Sequence, residues 1–199
     1  MEDSRNAAWP AVTGRSDVPS EPGGGRYSLP ARILHWILAP LVLAQVYLGW
    51  VAGWQRHPAD GLPMLNAHFQ IGFIILGLMT LRLLWRVGHR PPAPPTSEPR
   101  WRHVWASVTH VTIYVLILTM PISGYVLWVW MKAPMDLFGL IELPRVFQTS
   151  ADDTRSRYVA WVVHHYSALL LSLLLALHVT AALWHEFVVR DGLIRKRML

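Results

Sequence analysis

Cysteine is absent from the 199 residues, which excludes disulfides, thiolate metal sites and iron–sulfur clusters. Charge is scarce too. Only 15% of residues are Asp, Glu, Lys or Arg, while 53% are hydrophobic and the mean hydropathy is +0.29. That is too apolar for an ordinary soluble domain. The first 25 or so residues (containing PAVTGRSDVPSEPGGG) hold no apolar run, so they read as a disordered polar tail and not as a signal peptide. The formal charge of +6 has no basic helix or aromatic-studded basic stretch to give it a nucleic-acid partner. No internal repeat stands out.

A membrane-spanning helix needs roughly 20 mostly apolar residues. Four segments qualify, at about 33–54, 66–86, 104–131 and 160–189, giving an all-α integral membrane four-helix bundle over residues 26–199. Trp54, Trp85, Trp101, Trp130 and Trp161 lie beside span ends, as an aromatic belt requires. Arg82 sits inside the second span, near enough to its end to snorkel. Pro40 and Pro121 lie within the first and third spans and predict kinks. With the N-terminus inside, thirteen of the 18 Lys and Arg fall on the cytoplasmic side, counting Arg82. Both termini are therefore expected in the cytoplasm. The proline-rich 86–103 segment reads as an extended linker, and the 132–158 loop is expected to fold over the outer face.

Ionisable groups at membrane depth mark function by default, and the chain has ten histidines. On a helix fourteen residues advance about 1,400° and about 21 Å, returning within roughly 40° of the same face. His164 and His178 thus look into one bundle interior from opposite halves. His165 points about 140° away from His178 by the same arithmetic. Depth then sorts four histidines into two pairs, His35 with His178 near the inner face and His68 with His164 near the outer. Facing imidazoles on neighbouring helices suit the two axial positions of a haem iron. A zinc site or a proton relay remains open on spacing alone. Small residues nearby (Ala67, Gly72, Ala168, Ala176, Ala181, Ala182) leave room for a flat macrocycle. His185 and His110 are candidate contacts for a quinone or for haem propionates, with an interfacial or helix-contact role as the alternative. His57, His89, His103 and His165 read as loop or interfacial residues.

The chain resembles the bacterial cytochrome b561 family, small four-helix dihaem membrane proteins that include superoxide oxidase. The resemblance rests on an ordered set. It comprises Arg26 and Tyr27 before Leu34-His35-Trp36, Asn66-Ala67-His68, His110 with Tyr114 followed by Pro121 and Gly124, and Phe138-Gly139-Leu140 with Pro144. It closes with His164, Ala168, His178 and Arg190-Asp191-Gly192. The family implies two haem b, with His35, His68, His164 and His178 as iron ligands, and electron exchange with ubiquinone in the bacterial inner membrane. His165 stands where the superoxide oxidase has Glu, which leaves the substrate open.

The expectation is a multi-pass membrane cytochrome b passing electrons between a periplasmic donor and ubiquinone, with superoxide:ubiquinone oxidoreductase as the candidate activity. Lys132, Arg145, Arg155 and Arg157 offer positive charge on the outer loop for an anionic substrate. The rivals are quinol oxidation towards a periplasmic redox partner, a haem-bearing anchor for another redox subunit, and a non-haem proton- or metal-translocating protein.

Overall fold

The computed structural model describes residues 25–55, 58–89, 92, 99–150 and 153–199. The elements in chain order are α1 (Leu29–Gly53), α2 (Pro58–Gly88), α3 (Arg100–Trp130), β1 (Asp136–Leu137), β2 (Ile141–Glu142) and α4 (Thr154–Trp184). A π-helical turn, His185–Val189, extends α4, and a short α5 (Leu193–Arg197) closes the chain. Residues 1–24, including nearly all of the expected tail, lie outside the described residues.

Each long helix carries a stretch of mean hydropathy 1.6 to 2.0, sufficient in length and composition to cross a membrane. Much of the apolar surface faces outward: Val115 is 56% exposed and Leu173 57%. In water such a surface would drive aggregation; in lipid it is solvated. The helices start earlier than the apolar runs suggested, at 29, 58, 100 and 154, and the linker between α2 and α3 is correspondingly shorter. Backbone hydrogen bonding carries a helix past the point where its side chains stop being apolar. The helices also run through Pro40, Pro63 and Pro121.

Local chemistry sets the ends. A proline in the first turn of α1 is already at helical φ. Asp153 caps α4, its carboxylate accepting from the Ser156 N–H at 3.0 Å. That N–H, with the Ser156 hydroxyl, holds the Asp153 carboxyl below its ordinary range. Arg190 and Gly192, both with left-handed φ, turn the chain after the π-helical turn.

Consecutive helices pack side by side, α1 on α2, α2 on α3 and α3 on α4. All four contribute to a mid-bundle core of Leu38, Val42, Ile75, Met79, Leu116, Ile117 and Leu171. A second cluster, Phe69, Trp128, Val129 and Met135, seals one end, with Leu143 and Phe147 of the 132–147 loop packed against it. That loop contains the two-stranded hairpin, Asp136 opposite Glu142. Buried Gln70 pins it, donating to the Asp136 carbonyl and accepting from the Phe138 N–H, each at 3.0 Å. The expected fold-back of this loop is thus present. The opposite end, here the terminal end, is tied by Arg32 and Trp36 of α1 donating to the carbonyls of Leu199 and Met198. The mid-bundle core separates the hairpin end from the terminal end, and each end holds histidines.

Candidate functional site

At the hairpin end, His68 of α2 and His164 of α4 face each other with ring centroids 6.0 Å apart and planes 73° apart. His68 Nδ1–H donates to the Gln45 carbonyl at 2.9 Å; a carbonyl can only accept, so the tautomer is set. His164 Nδ1 lies 3.0 Å from the Ser123 hydroxyl, which itself donates to the Met120 carbonyl at 3.0 Å. The Ser123 hydroxyl thus engages His164 Nδ1, the ring nitrogen that faces α3. Both rings therefore keep Nε2 free. Outer-shell hydrogen bonds that fix a ring's tautomer and leave the other nitrogen for metal are the usual support of a ligating histidine.

The spacing fits a metal ion shared by two imidazoles. Two metal–nitrogen bonds of about 2 Å, extended by ring radii of about 1.2 Å on each side, put the centroids about 6 Å apart. Between the helices lies a cavity of about 1150 Å³. Ordinary ligand pockets measure about 300–1,000 Å³, so a large flat group has room. Glycines keep the histidines in place. A Cβ on Gly49 would meet His68 Cε1 at 2.9 Å, and one on Gly124 would meet His164 Cε1 at 3.1 Å. Of the small residues expected to make room, Gly72 and Ala168 line this cavity.

At the terminal end, His35 of α1 faces His178 of α4 at 6.4 Å, with planes 78° apart. This pair also matches the two-ligand spacing. The structure brings in a third ring, His110 of α3, only 5.3 Å from His178. Depth reasoning placed His110 at this end without anticipating so close an approach. Among the described residues, no group of three His, Asp or Glu converges as on a single metal ion.

The other candidates separate clearly. His185 Nδ1–H donates to the Asp191 carboxylate at 2.6 Å, on the π-helical turn. Partial burial pushes the Asp191 carboxyl upward, but hydrogen bonds from His185 and from the Leu193 N–H outweigh it and hold it below its ordinary range. Arg155 and Arg157 line the large cavity, whereas Arg145 is spent on the Ala133 carbonyl at 2.6 Å. His165, which sequence reasoning left unassigned, also lines the cavity. It stacks on Trp161 at 4.8 Å and meets the Trp50 edge at 5.9 Å. The four-residue spacing of Trp161 and His165 was the available signal. Gln45 and Ser123 were missed altogether.

The family described as prokaryotic cytochrome b561 matches residues 26–199. Cytochrome b561 homolog 2 of Escherichia coli (strain K12) is 30% identical over 181 residues, covering 87% of this chain and 91% of its own. Cytochrome b561 homolog 1 of the same organism is 25% identical over 174 residues, covering 87% and 97%. A protein named probable superoxide oxidase CybB, of Yersinia pestis, is 31% identical over 179 residues, covering 87% and 96%.

Proposed function

Because the chain belongs to the prokaryotic cytochrome b561 family, whose members carry out membrane electron transfer with haem b, we propose that it binds two haems and links a periplasmic donor to the ubiquinone pool. His68 and His164 hold one haem iron at the hairpin end; His35 and His178 hold the other at the terminal end. The observation that carries this reading is the hairpin-end pair: two rings 6.0 Å apart, both Nδ1 positions occupied. Haem b, when bound, supplies one-electron redox chemistry at each site.

The hairpin end faces the periplasm and both termini face the cytoplasm of a bacterial inner membrane, as the distribution of Lys and Arg supports. Arg155 and Arg157 at the cavity then attract an anionic donor such as superoxide. Two superoxide ions each lose one electron to become O2, and ubiquinone takes up two electrons and two protons to become ubiquinol. At the terminal end His185, its Nδ1 proton held by Asp191, presents Nε2 to a quinone, and His110 lies beside the His35/His178 site. The likeness to a protein named as a probable superoxide oxidase favours superoxide as the donor.

The purified protein is expected to give a b-type reduced-minus-oxidised spectrum. Stopped-flow mixing of the oxidised protein with superoxide then tests the direction: haem reduction, followed by reoxidation only when ubiquinone is present. A colourless preparation from porphyrin-replete cells removes the reading. Haem that superoxide leaves oxidised removes superoxide as the donor.

A further inference from the structure

Arg82 lies within α2, one turn before Arg86, and its described hydrogen bonds go to neutral partners. Its Nε–H donates to the Tyr114 hydroxyl at 3.0 Å and its Nη1–H to the Ala31 carbonyl at 2.6 Å. Arg86 draws in beside it: the two guanidiniums lie 6.0 and 5.9 Å from the centre of the same Tyr114 ring. Like charges four residues apart on a helix repel, and charge at membrane depth is costly unless paired. Among the described residues neither arginine has a carboxylate partner; the ion pairs there are His185 with Asp191 and Arg195 with Glu186.

The surroundings supply donors. Both arginines line a cavity of about 20 Å³, together with Tyr27, Ser28, Ala31, His89 and Tyr114. Such a volume admits one small polar group. The Ser28 hydroxyl accepts from Trp85 Nε1 at 2.8 Å, so its own hydrogen is free to donate. The Tyr114 hydroxyl, already accepting from Arg82, is in the same position. Two cations and two hydroxyl donors around one small space suit an anionic group with several acceptor lone pairs.

Its place in the bundle identifies that anion. Arg82 bonds Ala31, one turn before His35 on α1, and Tyr114, one turn after His110 on α3. We propose that Arg82 and Arg86, with Tyr114 and Ser28, seat one propionate carboxylate of the haem held by His35 and His178. The assignment rests on the two-haem reading above. These arginines then neutralise that carboxylate at the membrane edge, and their positive charge disfavours ferric iron, raising that haem's midpoint potential.

Resonance Raman spectra and redox titrations of the intact two-haem protein test the assignment. In Arg82→Gln and in Arg86→Gln the propionate bending bands of one haem are expected to shift and its midpoint to fall, with the other haem unchanged. Arg82→Lys, which keeps the charge and loses the planar fork, is expected to move the bands while largely preserving the midpoint. Either arginine variant suffices if the other does not fold. Unmoved propionate bands in both glutamine variants overturn the assignment. So does loss of co-purifying phospholipid from those variants without a band shift, since the seat then belongs to a lipid phosphate. A colourless wild-type protein sinks the two-haem reading itself, whereas two intact haems with unmoved bands sink only the propionate seat.

Discussion

Gln45 and His68 hold each other twice. The His68 ring donates Nδ1–H to the Gln45 backbone carbonyl at 2.9 Å, and the Gln45 side-chain amide donates to the His68 backbone carbonyl at 2.7 Å. This reciprocal lock joins α1 to α2 at the hairpin end and fixes the His68 ring, which lines the cavity, by its Nδ1. The Gln45 Oε1 atom is buried with no partner. Such a group is costly, so the amide's service to His68 outweighs the orphaned oxygen.

Gly49→Ala is expected to empty the hairpin-end site selectively. The new Cβ would fall 2.9 Å from His68 Cε1, closer than carbon atoms tolerate, and the ring must move off its metal-binding position. About half of the reduced-minus-oxidised haem absorbance should disappear, since one of two sites is lost. Gly77→Ala, where nothing lies within 4 Å, serves as the neutral comparison. Full haem content in Gly49→Ala contradicts the assignment of His68.

His110 poses a sharper question, because its ring lies nearer His178 than the His35 ring does, 5.3 against 6.4 Å. The longer spacing is the one that leaves room for an iron between the rings. His35→Ala and His178→Ala should therefore each lose one haem and spare the other, while His110→Ala keeps both. Pyridine haemochrome counts per protein decide it. A His110 variant with a single haem, beside a His35 variant with two, would exchange their roles.

Ser123→Ala removes the hydroxyl that meets His164 Nδ1 at 3.0 Å and leaves the imidazole itself unchanged. Losing such an outer-shell partner typically weakens metal affinity by about 10–100-fold. Haem at the hairpin end should become extractable by competing apo-myoglobin at a faster rate, with the terminal-end haem unaffected. Equal extraction rates in wild type and variant would mean that Ser123 does not orient the ligand.

The four paired histidines were legible because two independent regularities, helical rotation and topological depth, converge on them. Gln45 and Ser123 were not, since a lone amide or hydroxyl in an apolar span has many neutral uses and only the fold shows which carbonyl or ring it meets. His165 failed for a geometric reason. Its ideal direction is far from that of His178, yet the cavity is wide enough that Trp50 on α1 and Trp161 on α4 bring that ring to its wall. The hairpin strands, Asp136–Leu137 and Ile141–Glu142, are too short to show an alternating pattern. Their turn carries Phe138 at φ 56° and Gly139 at φ 69°, and a non-glycine residue there is uncommon. Buried Gln70, which bonds the Phe138 N–H, helps hold that conformation, and no local sequence signal announces it.

Acid should undo the His185–Asp191 contact in a defined direction. Asp191 is held below its ordinary carboxylate range in the folded chain, so the unfolded state binds its proton more readily. The contact's stabilisation is therefore fully present above the unfolded carboxyl pKa, about 3.9. It is lost as pH falls from there through the lower folded value. Thermal unfolding of detergent-solubilised protein across acidic pH should show wild type more stable than Asp191→Asn at neutral pH. The two curves should converge under strongly acid conditions, because the asparagine variant lacks this titration. If wild type and variant instead lose stability in parallel, the Asp191 carboxylate contributes nothing that the amide does not, and its bond to His185 leaves the terminal end of the bundle no firmer.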